Sequence, residues 1–215
     1  MISMLRRSFL MAAIIWSCAV AHAESSTPIE PGRIVGGRPT GLFYQINIEP
    51  SSSRVSTRTW HFLPENRINR VHPYGGGTFD PSRCSSDTCG SYAISAKKLT
   101  VQWDGGGVDT WPFETAADDF QLNNSTFRPA RPMTATALVG KWSAAGGNVY
   151  TFDANGRFSF GAGSAPGLGG TYHIQGLSLT LTFDDGDVRH RTLFGASAGE
   201  PIGMISVDRE AYARK

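Results

Sequence analysis

The chain has 215 residues, of which 40% are hydrophobic and 18% charged, with 25 glycines, 12 prolines and a formal net charge of +2. That is enough chain for one large domain or two small ones with cores of their own. The near balance of charge, without a basic run or stripe, excludes nucleic acid and anionic membrane surfaces as expected partners.

The first stretch reads as an export signal over 1–23. Arg6 and Arg7 precede an apolar run from Phe9 to Val20, and Ala21-His22-Ala23 has the small-x-small form of a cleavage site. The run is too short and wrongly flanked for a membrane span, and nothing after it is long and apolar enough to be one. The expected location is therefore the periplasm or the extracellular space. Arg6-Arg7-Ser8-Phe9-Leu10 resembles a twin-arginine pattern, but Leu5 stands where Ser or Thr is usual, so general secretion is favoured. Cys18 faintly resembles a lipoprotein acylation site, from which the bulky Trp16 departs. With Arg6 and Arg7 removed, the remaining Lys and Arg balance the 18 Asp and Glu.

Residues 24–39, with three prolines and three glycines, are expected to form a flexible leader. Arg33-Ile34-Val35-Gly36-Gly37 inside it resembles the activation site of chymotrypsin-like proteases. No G-D-S-G-G nucleophile loop follows, so the match is taken as chance.

From Gly41 onward the pattern is strands with period two, separated by Gly, Pro, Asn and Asp clusters. They are expected over 41–49, 57–63, 68–74, 90–95, 98–104, 108–114, 119–123 and 125–129, as a first repeat spanning 40–130. After the proline-rich joint at Pro129 and Pro132 a second repeat, 131–215, offers strands over 138–143, 148–153, 157–161, 170–175, 178–184, 188–194, 203–208 and 210–215. The firmest feature is a match at a constant offset of 80 between Gly90–Phe113 and the stretch from Gly170 to Phe194. It pairs Gly90 with Gly170, Tyr92 with Tyr172, Leu99 with Leu179, Trp103 with Phe183, Asp104 with Asp184 and Gly106 with Gly186. Earlier strands match at offset 90 (Trp60 with Tyr150, Arg67 with Arg157) and later ones at 85 (Leu122 with Val207, Phe127 with Tyr212). The extra residues fall in loops, the largest being Gly75–Cys89 of the first repeat. Within it Cys84 and Cys89 are expected to form a local disulfide, worth about 2 kcal/mol for so short a loop.

Each repeat has one apolar face, such as Tyr172, Ile174, Leu179, Leu181 and Phe183, opposite a polar one. Such a sheet must close on itself or pack on another. The expected fold is all-β, as two tandem small up-and-down antiparallel barrels, with one larger barrel or a sandwich built from both repeats as the alternative.

Gly140-Lys141-Trp142 resembles the G-x-W motif of the lipocalins and related small calycin barrels. Gly170-Thr171-Tyr172 and Arg214 on the last strand are similar to secreted bacterial lipocalin-like domains. The resemblance implies that Trp142 packs across a closed barrel end beneath Arg214, a cation–π contact worth roughly 0.5–2 kcal/mol. The first repeat keeps an aromatic, Phe43, but not the Trp, and the family's T-D-Y-type turn is absent from both repeats.

Chemistry is sparse. His61 and His173 should face outward, His190 lies in a polar strand and His72 at a strand end, so all four read as solvated rather than metal-binding. Asp184-Asp185-Gly186-Asp187 reads as a hairpin turn rather than a calcium loop, because its twin keeps only Asp104. Ser164 lacks the first glycine of a nucleophile elbow. No catalytic residue, metal site or cofactor is assigned. The inward aromatics Trp60, Tyr92, Trp103, Tyr150, Phe152, Tyr172 and Phe183 either fill the core or line a pocket for a small apolar ligand. Three expectations follow: an exported, non-catalytic, lipocalin-like binding protein; an envelope protein–protein interaction or inhibitor module using loops such as Gly75–Cys89; or an envelope hydrolase.

Overall fold

The computed structural model describes residues 27–49, 54–73, 75–162, 167–196 and 202–215. The expected signal peptide, Cys18 and Ser164 lie outside the described residues. In chain order the amino-terminal strands are β1 (Thr27–Pro28), β2 (Arg33–Val35), β3 (Arg38–Glu49), β4 (Arg54–Leu63), β5 (Arg67–Asn69), β6 (Thr78–Phe79), β7 (Cys89–Ser95), β8 (Lys98–Trp103), β9 (Val108–Ala116), β10 (Asp119–Leu122) and β11 (Ser125–Pro129). A one-turn helix, α1 (Ala135–Leu138), then leads into β12 (Gly140–Ala144), β13 (Asn148–Phe152), β14 (Arg157–Ala162), β15 (Leu168–Gln175), β16 (Ser178–Phe183), β17 (Val188–Gly195), β18 (Met204–Val207) and β19 (Glu210–Arg214).

The fold is all-β and contains a closed antiparallel barrel. Eight strands, β12 to β19, each pair with the next, and β12 returns to β19 with Trp142 opposite Arg214 and Ala144 opposite Tyr212. In the amino-terminal half β3 pairs with β4 along nine positions and meets β11 through Arg128 opposite Tyr44. The halves share a sheet contact where Glu210 of β19 lies opposite Ser56 of β4.

Register follows turn chemistry. The β8–β9 and β16–β17 hairpins turn through Gly106 (φ +88°) and Gly186 (φ +90°), the left-handed region where a side chain is strained. The Gly106 N–H donates to the Trp103 carbonyl at 2.8 Å, and the Gly186 N–H to the Phe183 carbonyl at 2.9 Å. Gly90 faces Trp103 and Gly170 faces Phe183, and a Cβ at either glycine would run into the Gln102 or Thr182 carbonyl oxygen. Close approach of neighbouring backbones thus requires both glycines.

The apolar side chains form three clusters. One joins Trp142, Tyr150, Phe152, Leu179, Leu181, Phe183, Ile205 and Tyr212 inside the carboxy-terminal half. A second joins Phe43, Trp60, Phe62, Leu99, Val101, Trp103, Phe120 and Phe127 in the amino-terminal half. The third is a seam: Ile29, Leu42, Tyr44 and Ala130 pack against Leu177, Phe194 and Ala196.

The seam corrects several expectations. Residues 27–39 are not a flexible leader, since β1 pairs with β6, β2 with β3, and Ile29 is buried. His61 and His72 are not solvated, because the outward face of β4 has the seam as its neighbour. His61 packs edge-on to Phe79, and His72 lies over Phe194. His173 and His190 are exposed. Nor is the Gly75–Cys89 loop wholly exposed. Gly76 and Gly77 press on His190, Leu177 and Ser178, and the Gly77 N–H donates to the Thr192 hydroxyl at 3.2 Å.

Candidate functional site

Cys84 and Cys89 form a disulfide that ties the loop to the start of β7, with Cα atoms 5.4 Å apart. Trp142 is fully buried. Its indole N–H donates to the Leu138 carbonyl at 2.7 Å, and the Arg214 guanidinium lies 4.5 Å from its ring centroid. Arg214 also donates to the Ala137 carbonyl, so α1, Trp142 and Arg214 together plug one end of the carboxy-terminal half.

The seven inward aromatics do not meet in one place. Trp60, Trp103 and Tyr92 belong to the amino-terminal cluster, whereas Tyr150, Phe152, Phe183 and Tyr172 belong to the carboxy-terminal one. All seven pack in these cores: Trp60, Trp103, Tyr150, Phe152 and Phe183 are buried, and Tyr92 and Tyr172 are half-buried against Phe62 and Phe152. Trp103 and Phe183 lie beneath Arg70 and Arg189 at 4.4 and 4.7 Å. Only Trp60 and Tyr150 border the two clefts described next.

The larger cleft, about 500 Å³, is lined by Gln45, Thr57, Arg58, Thr59, Trp60, Arg70, His72, Trp111, Leu122, Asn123, Phe127 and Arg209. Strand alternation explains the apolar part: Gln45 and Arg58 lie opposite each other on the face that carries Phe43 and Trp60 one step further along. Trp60 and Trp111 stand perpendicular, with centroids 5.5 Å apart, and form an aromatic corner. His72 in this lining is buried, its Nδ1–H donating to the Pro73 carbonyl at 3.1 Å and its Nε2 accepting from the Thr57 hydroxyl at 3.4 Å. Burial pushes the His72 ring down to about 4, so the side chain is neutral at physiological pH. Among the described residues the buried hydroxyl of Thr59 has no hydrogen-bond partner.

The smaller cleft, about 340 Å³, is lined by Arg54, Asn148, Tyr150, Phe160, Arg191, Val207, Asp208, Arg209, Glu210 and Tyr212. Its lining carries both signs: Arg191 meets Asp208 at 2.8 Å, and Glu210 accepts from the Tyr212 hydroxyl at 2.7 Å. Burial pushes Tyr150 up to about 12, and burial with the Glu210 contact raises Tyr212 further.

Arg58, Arg70, Trp111 and Arg209 were not among the sequence candidates. Arg58 could have been found two residues before Trp60, on the same strand face. Arg209 sits in the turn between β18 and β19, where strand periodicity carries no information. Among the described residues no group of three His, Cys, Asp or Glu side chains is placed to hold a metal ion. No helix among them is long and apolar enough to cross a membrane, which leaves open a span built of strands. No protein-family model, curated protein or solved structure matches the chain.

Proposed function

We propose that this chain is a duplicated, lipocalin-like binding protein of an oxidising, exported compartment, taking a small molecule in the larger cleft without catalysing a reaction. On this reading each half is an eight-stranded barrel descended from one ancestral unit. Support comes from the matched hairpins around Gly106 and Gly186, the Trp142–Arg214 plug and the Cys84–Cys89 bridge. The observation that carries the binding role is the aromatic corner of Trp60 and Trp111 bordering an open cleft of about 500 Å³, within the ordinary size of a ligand site. Titration of tryptophan fluorescence and native mass spectrometry against a panel of small aromatic and aliphatic molecules test it. Saturable quenching with a one-to-one adduct, lost in Trp111→Ala, is the expected result. An unchanged emission spectrum across the whole panel would overturn it.

A further inference from the structure

The geometry points to an anion site in the larger cleft, shared between the two halves, that takes a carboxylate, sulfonate or phosphate carried on a small planar aromatic body. This rests on the binding reading above and adds the ligand's charge, its stoichiometry and the origin of one of its contacts.

The charge of the lining is one-sided. Arg58, Arg70 and Arg209 border this cleft, and among the described residues no Asp or Glu does. The nearby carboxylates are engaged elsewhere. Asp208 accepts from Arg191 at 2.8 Å and from the Thr192 N–H at 3.0 Å, and Glu210 accepts from Tyr212 and Asn148, both in the other cleft. Asp87 comes only to 4.0 Å of Arg70, while the Ser85 hydroxyl donates to it at 2.6 Å. Among the described residues Arg58 and Arg209 form no ion pair. Guanidinium groups with donors to spare are suited to the oxygens of a carboxylate, sulfonate or phosphate.

Arg209 reaches this cleft from the carboxy-terminal half. Its carbonyl accepts the Thr57 N–H at 3.0 Å, and the Thr57 and Ser206 hydroxyls meet at 3.0 Å. These bonds fix the β18–β19 turn against β4, so the site is incomplete without the second half. Beside the arginines, the perpendicular indoles of Trp60 and Trp111 offer a flat ring one face to stack on and one edge to abut. Arg209 also borders the smaller cleft, but there Asp208 and Glu210 set two carboxylates in the lining, which disfavour an anion. One ligand per chain is therefore expected.

Two fluorescent probes that differ chiefly in charge test this: anilinonaphthalene sulfonate and the uncharged N-phenylnaphthylamine. The sulfonate is expected to bind once per chain and about tenfold more tightly than the uncharged probe. Arg58→Gln and Arg209→Gln should each weaken the sulfonate about tenfold and leave the uncharged probe unchanged. Lys97→Gln, outside the cleft, should alter neither, and urea midpoints identify any variant that is misfolded. Equal affinity for both probes, or two sulfonates per chain, overturns the anion site while leaving the binding reading standing. An unchanged sulfonate affinity in folded Arg209→Gln overturns the sharing between halves. If neither probe binds or quenches, the binding reading falls together with the anion site.

Discussion

Where the larger cleft has Trp111, Asn123 and Ser125, the smaller has Arg191, Asp208 and Glu210 at the same offsets of 80 and 85 residues; where the larger has Arg58 and Arg70, the smaller has Asn148 and Phe160 at offset 90. At these positions the two clefts differ in side chain, and the larger one also takes Arg209 from the other half. Around the smaller cleft Arg191 pairs with Asp208 and Glu210 accepts from Tyr212, and the opening is partly filled by Tyr150, which contacts the rings of Phe160 and Tyr212 at 4.4 and 5.2 Å. Around the larger cleft the aromatics flank an opening, and among the described residues Arg58 and Arg209 form no ion pair. A similar exchange occurs one strand away. Trp103 donates its indole N–H to Asp109 at 2.7 Å, whereas at the matching positions Arg189 lies over Phe183. Charge and ring thus differ in compensating pairs at positions that hold the same register in the two hairpins.

The comparison predicts unequal responses to mutation. Trp142→Ala should have the largest effect, about 3–5 kcal/mol of unfolding free energy in urea. Phe43→Ala should cost less, because Phe43 has neither the bond to Leu138 nor an arginine over its ring; an equal or greater loss would undo the distinction between the two ends. Next, Asp208→Ala should cost about 3 kcal/mol, since it strands a half-buried Arg191 whose Nε already has no partner among the described residues. Asn123→Ala, at the matching position, should cost less than about 1 kcal/mol by the same measurement.

Acid sensitivity should belong to the amino-terminal half. Burial pushes His61 and His72 down to about 4, and the matching positions, Thr151 and Ala162, do not titrate. The unfolded chain protonates its histidines near pH 6.5 while the folded one holds these two neutral. Their contribution is therefore complete above about pH 6.5 and is lost as pH falls towards about 4. Urea unfolding near pH 4.5 should show a loss of about 2–3 kcal/mol for each ring, relieved in part by His61→Gln. The smallest effect concerns the paired surface bridges. Arg67 grips Asp104 at 2.6 and 2.9 Å, and Arg157 grips Asp184 at 2.9 and 3.0 Å. Both are exposed, so Asp104→Asn and Asp184→Asn should each cost under about 1 kcal/mol and by similar amounts.

Much of this was legible in the sequence because hairpins are local. Period-two alternation and the Asp-Gly turns place β7 to β9 and β15 to β17 within a residue or two of their observed bounds. The short spacing of Cys84 and Cys89, the expectation of export and the lack of nearby metal ligands point to the disulfide that forms. Alternation sorts a strand's side chains into two faces, but it does not say whether the outer face meets water or another part of the chain. His61 was misplaced for that reason, although the unbroken bulk of Trp60-His61-Phe62 was a visible sign that both faces of β4 are covered. Leu193-Phe194 gave the same sign on β17. The arginines of the larger cleft were hidden for a different reason. A charged residue at the end of a strand looks the same in sequence whether it faces solvent or the opening of a cleft, and Arg209 gains its role only from a contact between positions about 150 residues apart.

The loop that carries Gly76 and Gly77 over the opposite half has a mechanical consequence. Ile29 and Gly77, Gly77 and Thr192, and Thr57 and Arg209 are stitched by hydrogen bonds that do not pass through the linker at Arg131 to Thr134. A protease nick in that linker should leave two fragments travelling as one particle on a sizing column, and they should separate only when the chain is unfolded.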